Sequence, residues 1–271
     1  MTVPANQTAQ PGDYAFPAAT LGNGARMPLL GFGTWQIPDD EAEQSTTFAL
    51  EAGYRHIDTA TGYANEAGIG KALAASDIDR DSLFITTKMP PEHVGRERRT
   101  LEESLTKLGV DKVDLWLVHW PPNKQATPAV WEQFVKAQAD GLATSIGVSN
   151  YSLDQIDELT TATGVTPAVD QIRWSPAIYD PVVAAGLAER NVVLEGYSPF
   201  RASDLDDATL LGIAGAHGVT TAQVIVAWHI AHGFVVIPKS TKQERIIANA
   251  AGARVELTAD EVAAVDGLAA A

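Results

Sequence analysis

The feature that most constrains this chain is a sustained alternation between short apolar runs and longer stretches of helical period, beginning at Leu29. Runs rich in Val, Ile and Phe cover Leu29 to Gly33, Arg55 to Thr59, Leu83 to Lys88 and Val113 to His119. Four more cover Ala143 to Asn150, Ala168 to Trp174, Val192 to Ser198 and Phe234 to Lys239. Between them lie amphipathic or Ala-rich segments: Asp39 to Ala52, Glu66 to Ala75, Arg96 to Leu108, Pro128 to Ala139, Leu153 to Thr161, Pro181 to Glu189, Thr220 to Ala231 and Gln243 to Ala251. Strand–helix–strand order implies parallel pairing, because parallel neighbours need a crossover. Eight such units can close into a (β/α)8 TIM barrel of the α/β class, and 271 residues suit the roughly 250 that such a barrel takes. An open doubly wound sheet competes, but its Gly-x-Gly-x-x-Gly turn is missing: Gly31-Phe32-Gly33-Thr34-Trp35 lacks the third glycine.

The ends of the chain read differently from its middle. Residues 1–19 are polar and carry Pro4, Pro11 and Pro17, so a flexible arm is expected ahead of a single barrel domain over 20–271. Gly22-Asn23-Gly24 between Thr20-Leu21 and Arg26-Met27 suits a β-hairpin added as a cap. Thr258-x-x-Glu261 announces a last helix from Thr258 to Leu268.

Composition narrows the function classes. A formal net charge of -15 opposes binding to nucleic acid or to an anionic membrane over most of the surface. An anionic ligand therefore needs a local basic pocket, and Lys239, Lys242 and Arg245 supply one. With no cysteine, no disulfide framework or thiolate metal site can form, and no His or carboxylate grouping suggests a metal. No leader-like start and no apolar stretch of about 18 residues occurs, so a soluble cytoplasmic protein is expected.

In a barrel the chemistry gathers where strands end at the C-terminal face. Here those ends are polar: Asp58, Lys88, His119 and Ser149-Asn150 close the second to fifth runs. Gln171 lies in the sixth, Tyr197-Ser198 end the seventh, and Lys239-Ser240 end the eighth. Any one of these is ordinarily a cap or a solvated side chain. Seven in succession point to one functional face.

The strings around these residues resemble the aldo-keto reductase family over nearly the whole barrel. They are Gly53-Tyr54-Arg55-His56-Ile57-Asp58-Thr59-Ala60 with Tyr63-Ala64-Asn65-Glu66, then Ile85-Thr86-Thr87-Lys88, Leu117-Val118-His119-Trp120-Pro121, Ile146-Gly147-Val148-Ser149-Asn150 and Ile237-Pro238-Lys239-Ser240. Within the family, Phe84-Ile85-Thr86-Thr87-Lys88 and Gly233-Phe234-Val235-Val236 are most similar to the bacterial 2,5-diketo-gluconic acid reductase group.

The resemblance implies an NADPH-dependent reduction of aldehyde or ketone carbonyls to alcohols. It makes Tyr63 the proton donor, with Lys88 lowering its pKa from about 10, Asp58 holding Lys88, and His119 orienting the substrate oxygen. It places the nicotinamide among Ser149, Asn150, Gln171 and the Tyr197 ring, with further cofactor contacts at Gly33, Thr34, Trp35, Ser198 and Phe200. Lys239, Ser240, Thr241 and Arg245 match positions that hold the adenosine 2′-phosphate, which favours NADPH over NADH. Asn249 matches an adenine contact. Trp35 and Trp120, joined by Phe32 and Trp174, are expected to line a substrate pocket for a small carbonyl compound.

Departures fall where specificity is set. Gln171-Ile172-Arg173-Trp174-Ser175-Pro176 replaces the family's Gln-Ile-Glu-x-His-Pro, and the chain stops soon after the last helix, so an open, permissive pocket is expected. A monomer is expected as well. Two other readings stay open at this point: a barrel that holds NADPH and senses redox state with little turnover, and an enzyme in which Lys88 forms a Schiff base with a carbonyl.

Overall fold

Two short strands, β1 (Ala18–Thr20) and β2 (Arg26–Pro28), open the computed structural model, which describes residues 16–270. They pair antiparallel around a turn in which Gly24 takes a φ of 85°, backbone that favours glycine. Phe16 is already buried, its ring edge-on to Tyr54. Ordered structure thus begins before Thr20, which shortens the expected arm; residues 1–15 lie outside the described residues.

Eight parallel strands follow: β3 (Phe32–Gly33), β4 (His56–Asp58), β5 (Phe84–Met89), β6 (Val113–Val118), β7 (Ala143–Ser149), β8 (Val169–Arg173), β9 (Val193–Tyr197) and β10 (Val235–Val236). Each pairs with its sequence neighbour. The sheet curls until β10 meets the segment before β3, where Gly31 N donates to Val236 O and Val236 N donates to Leu29 O, at 2.9 and 2.8 Å. The first and last strands are shorter than their apolar runs because this seam is closed by only a few such bonds.

The crossovers are α1 (Asp39–Glu51), α2 (Glu66–Ala75), α3 (Glu97–Leu108), α4 (Pro128–Ala139), α5 (Leu153–Thr163), α6 (Pro181–Glu189), α7 (Ala208–His217) and α8 (Thr221–Ala231), with α9 (Gln243–Gly252) and α10 (Ala259–Asp266) after the last strand. Their ends are set by local chemistry. Ser152/Gln155, Thr220/Gln223 and Thr258/Glu261 form reciprocal capping boxes at α5, α8 and α10. Pro128 and Pro181 start α4 and α6, where the missing N–H costs nothing. Helix α7 is an addition to the sequence-based expectation: Asp207 caps it by accepting from Thr209 N and Leu210 N. No single helix among the described residues is long and apolar enough to cross a membrane.

Strand alternation divides the core into two. Trp116, Val118, Ile57, Ile85 and Met89 face outward under the helices, where Trp116 stacks on Phe134 with ring centroids 3.6 Å apart. Phe84, Leu115, Leu117, Val169 and Val235 face the barrel axis, and Leu21 and Met27 of the hairpin close its lower end. The inward positions nearer the upper end are polar: His56, Asp58, Thr86, Lys88, Gln171 and Glu195 are all buried. An apolar floor therefore carries a polar upper layer, and the site stands on that layer.

Candidate active site

Asp58 ends β4, and the chain then makes a single turn, Thr61–Tyr63, that brings the Tyr63 ring back over the strand ends. Ala64 completes this turn in left-handed backbone, φ 56°. Lys88 stands on β5 with its side chain fully buried, and Asp58 is 2% exposed. The Lys88 ammonium uses all three donors: to Asp58 Oδ1 at 2.6 Å, to Thr59 O at 2.8 Å and to Tyr63 Oη at 3.4 Å. His119 follows β6 and presents its ring to Tyr63 edge-on, centroids 5.5 Å apart.

The electrostatics of these four groups follow from burial and from the single cation. Burial pushes the Tyr63 phenol above its usual 10, with Lys88 pulling it back and Asp58 pushing further up. Sequence reasoning expected a lowered tyrosine; Lys88 does act downward, but desolvation outweighs it in the free protein. Burial would lower Lys88, yet the charges of Asp58 and Tyr63 and the Asp58 hydrogen bond leave it raised, so the ammonium form is held. Burial pushes Asp58 up against the pull of Lys88 and the Gln171 amide. His119 is driven down to about 3 by burial and then by the Lys88 charge, so its ring is neutral near pH 7.

A second layer fixes the first. Gln171 Nε2 donates to Asp58 Oδ2 at 2.8 Å, and Ser149 Oγ donates to the Gln171 carbonyl at 2.7 Å. Asn150 donates to Ser149 Oγ at 2.9 Å and accepts from Tyr197 Oη at 2.9 Å. Asn65 is a member the sequence reading left without a role. Fully buried, it donates to the carbonyls of Thr34 and Ile37, both at 2.9 Å, and accepts from Thr59 Oγ1.

A cavity of about 850 Å³ opens over this constellation at the C-terminal face. Its wall includes Asp58, Tyr63, His119, Ser149, Asn150, Gln171, Tyr197, Ser198, Phe200 and Lys239, together with Gly33, Trp35 and Trp120, all expected there. Several expected residues lie off this wall. Phe32 packs edge-on against Tyr54 in the core, because strand alternation turns it outward. Trp174 is buried against Tyr179 and Phe234. Thr34 is buried and donates to the Asp58 carbonyl at 2.9 Å, supporting the site from beneath rather than lining it. Ser240 is mostly buried and accepts from Lys242 N at 3.0 Å.

Ser240 and Thr241 lie in the loop that leads into α9, and Arg245 and Asn249 stand on that helix, beyond Lys239 and outside the cavity wall proper. Sequence reasoning missed Arg201, whose guanidinium lies 5.0 Å from the centroid of the Trp35 ring, and Arg173, which also lines the cavity. Among the described residues no cluster of three or more His, Cys, Asp or Glu is arranged to hold a metal ion.

A buried cation is thus shared by a carboxylate and a phenol that both line a large cavity at the C-terminal end of a parallel barrel, an arrangement chemically able to hold and release a proton at the cavity wall. The aldo/keto reductase family model matches residues 29–270. An aldo-keto reductase of Mycolicibacterium vanbaalenii is 42% identical over 258 residues, covering 94% of this chain and 92% of that protein. The crystal structure of an aldo/keto reductase from Brucella melitensis superposes with a TM-score of 0.90 at 39% identity, covering 94% of this chain and 100% of that one. That of a Bombyx mori aldo-keto reductase in complex with NADP does so with a TM-score of 0.84 at 31% identity, covering 93% and 92%. The chain belongs to the aldo/keto reductase family of oxidoreductases.

Proposed function

We propose that this protein is an NADPH-dependent carbonyl reductase in which Tyr63 gives the proton to the substrate oxygen. The observation that carries the reading is the Lys88 ammonium, held at once by Asp58 and by the Tyr63 hydroxyl on the cavity wall. When bound, the dihydronicotinamide supplies hydride to the carbonyl carbon. Tyr63, protonated at neutral pH, donates to the carbonyl oxygen, and Lys88 stabilises the phenolate left behind. Neutral His119 donates an N–H to the same oxygen and orients it.

The residues suit such a cofactor. Ser149, Asn150 and Gln171 form a connected polar group that would hold the nicotinamide amide, and the Asn150 bond fixes the Tyr197 ring for stacking. Lys239 and Arg245 would neutralise a 2′-phosphate, and α9 begins without a side-chain cap, leaving its first amides for an anion. This arrangement favours NADPH over NADH, and the NADP bound by the Bombyx mori relative supports the cofactor class. Trp35, Trp120 and Phe200 give the cavity an apolar aromatic wall, beside which Arg173 and Arg201 suit an anionic substituent, as in a keto-sugar acid. A Schiff-base role for Lys88 is disfavoured because Asp58 keeps that amine charged.

The test is Tyr63→Phe, assayed with NADPH across aldehydes, diketones and keto-sugars. Cofactor affinity is expected to hold while turnover falls about 10²- to 10⁴-fold, the range of a lost general acid. Unchanged turnover refutes the assignment.

A further inference from the structure

Beneath the Lys88–Asp58 pair the barrel holds a second carboxyl group that the chemistry above does not use. Glu195 sits at the middle of β9, wholly buried, facing inward by the same alternation that puts Tyr197 on the cavity wall. Neither of its oxygens has a hydrogen-bond partner. Its Oε1 lies 3.6 Å from His56 Nε2, and it stands level with Gln171 across the β8–β9 pair. The groups around it come from every neighbouring element: His56 and Asp58 from β4, Tyr63 from the turn beyond, Lys88 from β5 and Gln171 from β8. Its register partner on β10 is the apolar Val235.

Charge counting decides its state. Lys88 and Asp58 cancel at 2.6 Å, and His56 is neutral, driven down to about 3 chiefly by burial. An ionised Glu195 would be a second anion in the barrel with no cation left to balance it and only the Gln171 amide, already bound to Asp58, to solvate it. A protonated Glu195 leaves the Lys88 charge available to the Tyr63 phenolate; an ionised one competes for it.

We propose that Glu195 is a positioning residue that sets the acid strength of Tyr63 through the Lys88–Asp58 pair, protonated in the working enzyme and inhibitory when ionised. This rests on the reading of Tyr63 as proton donor. Burial and the Asp58 charge lift Glu195 from 4.5 to about 8, against the Gln171 amide and Lys88. Tyr63 and Lys88 lie higher and the two histidines far lower, while Asp58, also raised by burial, has the 2.6 Å Lys88 pair that Glu195 lacks; the change in this cluster between about pH 6 and 9 is therefore assigned to the Glu195 proton. As pH rises through about 8 the phenol becomes a weaker acid and reduction slows.

Two measurements test this on the full chain. Single-turnover reduction of 4-nitrobenzaldehyde by NADPH is followed from pH 6 to pH 9 in the parent and in Glu195→Gln, which is isosteric and neutral throughout. The parent rate is expected to fall about three- to tenfold with a midpoint near 8, one unit of tyrosine pKa being tenfold in acidity, while Glu195→Gln stays level. Infrared titration of the protein without substrate should show a protonated carboxyl band that vanishes with the same midpoint and is absent from Glu195→Gln. Superimposable rate profiles, or no such band in the parent at pH 6, overturn the proposal. The infrared arm needs no turnover, so failure of the Tyr63 reading, seen as an active Tyr63→Phe, is distinguishable from failure of this one.

Discussion

Replacing Lys88 by Met removes one member of an ion pair that is essentially without solvent. Asp58 then keeps only the Gln171 hydrogen bond, and Thr59 O and Tyr63 Oη lose their donor. Breaking a buried pair from one side typically costs about 3–5 kcal/mol, because the surviving charge stays desolvated. At about 2–4 °C per kcal/mol for a chain of this size, the melting temperature should drop by roughly 6–20 °C. The loss should also depend on pH, with a definite sign. Without Lys88 the folded-state pKa of Asp58 rises further above its unfolded value of 3.8, so the folded variant binds a proton more tightly than the unfolded one. Its stability is therefore fully present below the unfolded value and declines as pH rises through the folded one. Urea unfolding at pH 5 and pH 8 should show the larger deficit at pH 8. The double variant Asp58→Asn/Lys88→Met, which buries no ion, should recover about 2 kcal/mol relative to Lys88→Met alone. A single variant that loses under about 1 kcal/mol at pH 8, or a double variant no more stable than the single, refutes this account of the pair.

Two further outcomes follow from the supporting contacts. Asn65→Ala leaves the buried Ile37 carbonyl and Thr59 hydroxyl without their partner, while the Thr34 carbonyl keeps Ile37 N at 3.1 Å, and should cost about 2–6 kcal/mol in urea unfolding, at about 1–3 kcal/mol per unsatisfied group. Lys239→Ala should raise the dissociation constant for NADPH about 10- to 100-fold by fluorescence titration while leaving that for NADH nearly unchanged, since charge-assisted bonds to the phosphate are worth about 1.5–3 kcal/mol.

What could be seen in the sequence, and what could not, follows from how a strand alternates. Asp58, Lys88 and His119 were legible because a polar residue closing an apolar run has few places to go except the rim of the barrel. Phe32 and Trp174 were misplaced because aromatic character alone does not say which face of a strand a residue occupies; both turn outward into the helical layer. Glu195 carried a signal that went unused: an acidic residue inside Val192 to Ser198 is anomalous in a buried run. Helix α7 was hidden by Gly212 and Gly215 and by a composition apolar on all sides, so no amphipathic period stood out, although Asp207 before it and Gly218 after it mark both ends. The net pKa of Tyr63 was beyond sequence altogether, since it turns on how completely the ring is buried.

The backbone itself separates the two ends of the barrel. Eight non-glycine residues with positive φ are found among the described residues, and seven of them, Gln36, Ala64, Asn123, Lys124, Thr127, Asn150 and Ser198, lie in loops that follow strands. Only Asn191 lies in a loop that leads into one. At the opposite end the chain reverses through glycines such as Gly109 and Gly164, which end α3 and α5 without strain. Left-handed backbone in an ordinary residue costs about 1–2 kcal/mol and persists only where surrounding contacts over-determine it. Asn150 and Ser198 illustrate the point: the first is bound to Ser149 and Tyr197, and the second follows Tyr197 directly. Strain therefore concentrates in the loops that carry the cavity, where the Tyr197–Asn150–Ser149–Gln171–Asp58 chain of hydrogen bonds holds it and connects it to Lys88.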